Sequence, residues 1–220
     1  MSPVIAIDGP SGAGKGTVAR AVAQTLECVY VDTGAMYRAV AWKSKHQGLD
    51  LDDENAITEV ATRAVFDLST ARVVIDGHDV TQAIRTPEMD AAAATVARMP
   101  QVRQALVGLQ REYANNWTVV MEGRDIGTVV FPKAEVKIYL DALAEERASR
   151  RSKDPAHRWS KGAELAEVAS ALEARDRSDR TRQISPLMCA PDAVSIDTTG
   201  VPIAEVVRRV LEIIKDKLSK

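Results

Sequence analysis

The chain has 220 residues, 45% of them hydrophobic and 27% charged, enough for one core with small insertions. A formal net charge of -2 argues against a globally basic nucleic-acid binder, and 4% aromatic residues are too few for a base-stacking platform. No apolar run approaches the roughly 18 residues of a membrane span, and the opening MSPVIAIDGP reads as a core strand rather than an export signal, which points to a soluble cytoplasmic protein.

The first unit is strand, glycine loop, helix, strand. PVIAID is short and apolar, GPSGAGKG interrupts it, and a helix to about Glu27 carries Val18, Ala21, Val22, Thr25 and Leu26 at helical spacing. CVYVD (28–32) is a second strand, and the helix after it places Met36, Tyr37, Val40 and Ala41 on one side. Such alternation predicts a parallel sheet covered on both faces. After the helical AITEVATRA, the runs VFDL, ARVVID and HDV, separated by ST and GH, predict a small antiparallel insertion at about 65–81. Pro87 and Pro100 each start a helix, where a missing N–H costs nothing.

The α/β pattern then resumes. TVVMEG (118–123) and EVKIYLD (135–141) read as buried strands, followed by the charged helix AEERASRRSKD and a basic loop to about Ser160. A helix from Lys161 to about Thr181, a strand AVSID (193–197) and a last helix complete the chain. The last helix presents Ile203, Val206, Val207, Val210, Leu211 and Ile214 as a core stripe, with Thr199 as its candidate cap and Pro202 just inside its start. Cys28 and Cys189 lack metal-ligand spacing and read as buried free thiols, and His46, His78 and His157 read as surface residues that form no cluster.

Gly9, Gly14 and Lys15 fit the strand–GxxxxGK–helix pattern in its required context. Glycines let backbone N–H groups turn inward and keep side chains away from phosphate. The helix N-terminus adds a favourable field, and Lys15 brings a mobile point charge. The residue after Lys15 is Gly16, and the hydroxyl comes one later at Thr17; Thr17 is expected to touch phosphate and the magnesium shell to be largely water.

The class of nucleotide protein follows by elimination. There is no guanine-reading NKxD, DTTG at 197–200 matches a switch motif only after the last strand, and there is no LSGGQ. A kinase with a small acceptor must neutralise two phosphate groups and exclude water, and arginines are available at Arg38, Arg103, Arg124 and in the clusters at 147–151 and 175–182. Arg175, Asp179 and Arg182 share a helical face, as do Arg147, Arg150 and Arg151, an arrangement suited to a closing lid. The plainer alternative for both clusters is a solvated helix with i,i+4 pairs such as Asp176 with Arg180. Other enzyme readings are a different nucleoside monophosphate kinase or a small-metabolite kinase; a slowly hydrolysing regulatory protein is the reading from another class.

GPSGAGKGT (9–17), DTGAMYR (32–38), IRTPE (84–88), PQVR (100–103), EGRDIGTVVFP (122–132), VKIYLDA (136–142), EERASRR (145–151) and RDRSDRTR (175–182) together resemble bacterial cytidylate kinase, in order and over nearly the whole chain. The resemblance implies a P-loop kinase core at 1–59, 99–146 and 161–220, an enlarged monophosphate-binding insertion at 60–98 and a helical lid at 147–160. It implies transfer of the γ-phosphoryl group of ATP to CMP or dCMP with Mg2+; separately, no seam is suggested by the pattern, and a monomer is expected. ATP would be held by Gly9, Pro10, Ser11, Gly12, Ala13, Gly14, Lys15, Gly16 and Thr17. Arg38, Arg124 and Arg182 would hold the acceptor phosphate, Arg103 and Asp125 the cytosine, Arg175 and Asp179 the sugar hydroxyls, with Thr33 beside the acceptor. Lys15, Arg124, Arg182 and the lid residues Arg147 and Arg151 would act on the transferring group. No direct metal ligand is implied, and Glu122 is a candidate for the outer shell. Ala94 stands where the family often has a serine that touches base and sugar, and Glu122 where many members have aspartate.

Overall fold

The computed structural model describes residues 2–69, 72–154 and 164–219. Five strands form one parallel sheet in the order β2-β6-β1-β7-β8: β1 Val4–Asp8, β2 Val29–Asp32, β6 Val119–Gly123, β7 Val136–Asp141 and β8 Val194–Asp197. Every residue of β1 and β6 is buried, as expected for strands covered on both faces. Alternation still sorts the side chains. Val4 and Ala6 enter one core with α2 (Thr33–His46), α3 (Glu54–Arg63), α4 (Pro87–Val96) and α5 (Pro100–Tyr113). Ile5 and Ile7 enter a second core with α1 (Lys15–Thr25) and α8 (Ile203–Leu218).

The insertion is a three-stranded antiparallel sheet, β3 (Phe66–Leu68), β4 (Val73–Ile75) and β5 (His78–Asp79), with β4 in the middle. Asp76 and Gly77, both at positive φ, supply the two-residue turn between β4 and β5. Val73 and Ile75 pack into the first core, so the insertion shares the main hydrophobic interior.

Several local expectations change on folding. α1 buries Val18, Ala19, Val22 and Ala23, while Leu26 is exposed, so its stripe is rotated towards the sheet. In α8, Val206, Val210 and Ile214 are buried and Ile203 is 46% exposed. Thr199 does not cap α8: its hydroxyl accepts from the Leu143 N–H at 2.9 Å, ahead of α6 (Ala144–Ser152), and the residue preceding α8 is Pro202. The thiols are not both buried, for Cys28 is half-buried and Cys189 exposed. Nor are His46 and His78 isolated, because both rings lie against Trp42, with the His46 ring stacked at 4.9 Å. His157 and the start of the helix expected from Lys161 lie outside the described residues; α7 runs Leu165–Thr181.

Candidate active site

β1 ends at the centre of the sheet, and the glycine loop leaves its carboxyl end, where ligands bind in open α/β sheets. The loop passes so close to β7 that a Cβ on Gly9 would lie 2.0 Å from the Leu140 carbonyl oxygen. Two later helices hold the loop from behind. The Ser11 N–H donates to Asp176 at 3.0 Å. Arg147 donates to the Ser11 carbonyl at 2.9 Å and to the Ala142 carbonyl at 3.0 Å, and it forms a buried ion pair with Asp176. Beneath the loop, Asp8 accepts from the N–H groups of Ile126 and Gly127 at 2.8 and 2.7 Å. Burial pushes the Asp8 carboxyl up to about 6. Those two N–H groups open a π-helical turn, Ile126–Val130, which redirects the chain just after Asp125.

In front of the loop is a cleft of about 660 Å³. Eight basic side chains line it (Lys15, Arg20, Arg38, Arg85, Arg124, Arg150, Arg151 and Arg175) against four acidic ones (Asp32, Glu122, Glu146 and Asp154), so the cleft favours a polyanion. Lys15 folds back onto the Pro10 carbonyl at 2.7 Å. Burial, with Arg124 beside it, lowers the Lys15 ammonium to about 7. Arg151 reaches the Ser11 hydroxyl at 3.0 Å and is lowered to about 10, chiefly by burial. Glu122 accepts from the Tyr30 hydroxyl at 2.6 Å. Burial and the neighbouring Asp32 raise the Glu122 carboxyl, whereas at Asp32 the charges of Arg38 and Arg85 outweigh burial and lower it. A Cβ on Gly16 would sit 2.8 Å from Glu122 Oε1, so the longer carboxylate fills the space a hydroxyl side chain would take there.

A second, narrower pocket of about 40 Å³ opens behind Gly34, Gly123, Arg124 and Arg175, which line both spaces. Thr33, Tyr37, Ala93, Ala94, Ala97, Arg103, Asp125, Asp179 and Arg182 complete it. Its polar wall is a lattice of ion pairs. Arg103 pairs with Asp125, Arg124 with Asp179 at 2.9 Å, and Arg182 with Asp125 at 3.3 Å and Asp179 at 3.7 Å. Burial works against the Asp179 charge, but Arg124, Arg175 and Arg182 hold its carboxyl below the usual range. The Nε atoms of Arg38, Arg103 and Arg175 are buried with no hydrogen-bond partner among the described residues. Unmet buried donors cost about 1–3 kcal/mol each, an arrangement that fits incoming ligand oxygens.

The family model described as cytidylate kinase matches residues 5–216. The chain belongs to the cytidylate kinase family. It is 48% identical to a cytidylate kinase of Desulfitobacterium hafniense (strain Y51), covering 97% of this chain and 93% of that one. A cytidylate kinase of Solibacter usitatus (strain Ellin6076) is 46% identical over 98% of this chain and 94% of its own. Among solved structures, a gluconokinase from Sinorhizobium meliloti 1021 covers 98% of this chain and 92% of its own, with TM-score 0.52 at 14% identity, a likeness of fold alone.

Ser11 to Thr17 line the large cleft, while Gly9 and Pro10 are buried and do not line it. The three arginines assigned to the acceptor phosphate from the cytidylate kinase pattern sit in different walls. Arg38 faces the cleft, Arg182 the side pocket, and Arg124 both. Thr33 lines the side pocket and donates to the Glu122 carbonyl at 2.8 Å. Arg147 does not line the cleft, because its guanidinium is occupied by Asp176 and two backbone carbonyls behind the loop; Arg150 and Arg151 are the members of its cluster that face it. Asp176 turns inward to Arg147 instead of pairing with Arg180. Sequence reading missed Asp8, Asp32, Arg85, Asp90 and Asp176. Asp8 and Asp32 each end a strand just before a glycine-containing segment, and that position was the available signal.

Proposed function

We propose that this chain transfers the γ-phosphoryl group of ATP to CMP or dCMP, giving ADP and CDP or dCDP, in pyrimidine nucleotide metabolism. The observation that carries the reading is the wall common to the two spaces: Arg124 and Arg175 border both the polyanion cleft and the small polar pocket. ATP lies along the loop from Ser11 to Thr17, the acceptor base reaches Arg103 and Asp125, and the two phosphate chains meet at Arg124.

Cytosine presents an amine that a carboxylate accepts and ring acceptors that a guanidinium serves, whereas uracil turns a carbonyl towards Asp125. Asp179 and Arg175 take the sugar hydroxyls, and Thr33 sits beside the acceptor. The acceptor oxygen is already negative, so attack on ATP needs alignment rather than a strong base. Lys15, Arg124, Arg151 and Arg182 stabilise the spreading charge, Arg151 from α6 in the part of the expected lid that lies within the described residues; residues 155–160 of it lie outside them. Glu122, with Asp32 beside it, would fit the water shell of Mg2+ brought in with ATP rather than ligate it directly. When bound with ATP, Mg2+ supplies neutralisation of charge on the β- and γ-phosphates. The protein acts as a cytoplasmic monomer, without nucleic-acid or membrane partners.

A panel of CMP, dCMP, UMP, AMP and dTMP with ATP tests the assignment, with ADP release as the readout. CMP and dCMP are expected to lead. Asp125→Ala is expected to lower kcat/KM for CMP at least about 100-fold, roughly 2.7 kcal/mol, and to affect UMP much less. Equal losses on CMP and UMP assign Asp125 a structural role, and release of ADP that does not depend on any monophosphate removes the kinase reading.

A further inference from the structure

Asp90 lies in the first turn of α4 and brings a carboxylate, 14% exposed, into the middle of the arginine cluster. One oxygen is 2.5 Å from Arg175 and 3.7 Å from Arg38; the other is 3.9 Å from Arg151. The three guanidiniums come from α7, α2 and α6, and each is at most 15% exposed. Arginines converging from separate helices on one anionic group is the arrangement that also holds a phosphate monoester.

We propose that Asp90 is a built-in stand-in for the acceptor phosphate. It holds Arg38, assigned to the acceptor phosphate, together with the neighbouring Arg151 and Arg175, and the acceptor's phosphate dianion takes its place beside Arg38 on binding. This inference rests on the reading of the small pocket as the acceptor site. α4 carries Ala93 and Ala94, and the residue just after it is Ala97, together one wall of that pocket. A space of about 40 Å³ has room for a few water molecules, each needing roughly 10–15 Å³ by this measure, and none for a pyrimidine ring. Exchange of Asp90 for phosphate therefore releases α4 from α7 as the base needs its wall to move.

The test measures binding of inorganic phosphate, CMP, cytidine and ATP by calorimetry to the full chain, to Asp90→Asn and to Asp90→Glu. Asp90→Asn is expected to tighten phosphate and CMP about tenfold, the scale of one charge-assisted contact, with cytidine unchanged and ATP tightened less than CMP. Asp90→Glu, which keeps the charge, is expected to bind CMP no tighter than the natural chain. Weaker or unchanged CMP binding by a folded Asp90→Asn, tightening by Asp90→Glu, or tightening of ATP alone overturns the proposal. A crystal structure of the natural chain with CMP decides independently of any variant. Asp90 is expected beyond 4 Å from Arg175, and an intact contact overturns the idea. Failure of the natural chain to bind CMP removes the acceptor reading itself, whereas CMP binding that Asp90 does not oppose removes only this inference.

Discussion

Lys15 carries a charge whose presence depends on what else is in the cleft. With its ammonium lowered to about 7 by burial and Arg124, Lys15 gives up its proton far more readily than an ordinary lysine. A polyphosphate restores it by placing negative charge against the amine. The sign of the pH dependence follows. Below pH 7 Lys15 is already protonated and binding takes up no proton. Above pH 7 binding must take up a proton at Lys15, so ATP affinity is expected to fall with rising pH, by up to about tenfold per unit. Calorimetry at pH 6 to 9, in buffers of different ionisation enthalpy, measures both the slope and the uptake; a flat affinity between pH 7 and 9 contradicts it. The role of Lys15 was legible from loop spacing alone. The reason for Gly16 was not, since the space beside it is claimed by Glu122, 106 positions later in the chain and on β6.

At the scale of elements, α6 and α7 act on the phosphate loop through two residues whose side chains never face the cleft. Asp176 of α7 takes the Ser11 N–H and the Arg147 guanidinium, and Arg147 of α6 returns to the Ser11 carbonyl. Breaking a buried pair by neutralising one partner costs about 3–5 kcal/mol, because the other charge is stranded. Asp176→Asn keeps the shape and removes the charge. It is expected to lower the urea unfolding free energy by about 3 kcal/mol and to weaken ATP more than CMP. Equal weakening of both nucleotides would make the pair a general brace rather than a loop clamp. This clamp was hidden from the sequence for a specific reason. Helical spacing offers Asp176 a local partner in Arg180, and only the packing of α7 against α6 turns the carboxylate to the inside. The same competition rotated the α1 stripe and moved Thr199 from the α8 terminus to the Leu143 N–H. Spacing located the helices well, yet which face each one buries was settled by the sheet.

For the whole molecule, the order of strands and helices was readable, because alternating strands and helices around a central β1 leave few ways to bury both faces. The antiparallel insertion was equally plain from its turn residues. What could not be read was that Arg38, Arg124 and Arg182 would stand in separate walls of two connected spaces. That division has a measurable consequence. If the cleft and the small pocket are halves of one site, a compound joining adenosine and cytidine through a polyphosphate occupies both at once. Its second half then binds at an effective concentration set by the tether, which typically adds 10²–10⁴-fold over either half alone, approximately. The gain depends on length: a tether too short to pass Arg124 and Arg175 loses it, and an over-long one dilutes it. A series of tethers is therefore expected to show an optimum, and melting temperature is expected to rise with affinity, because only the folded chain binds. The natural chain should show the optimum, and Arg124→Ala should flatten it by removing the guanidinium that borders both halves. Affinity no greater than that of ATP at every tether length would mean that the two spaces never hold nucleotide together.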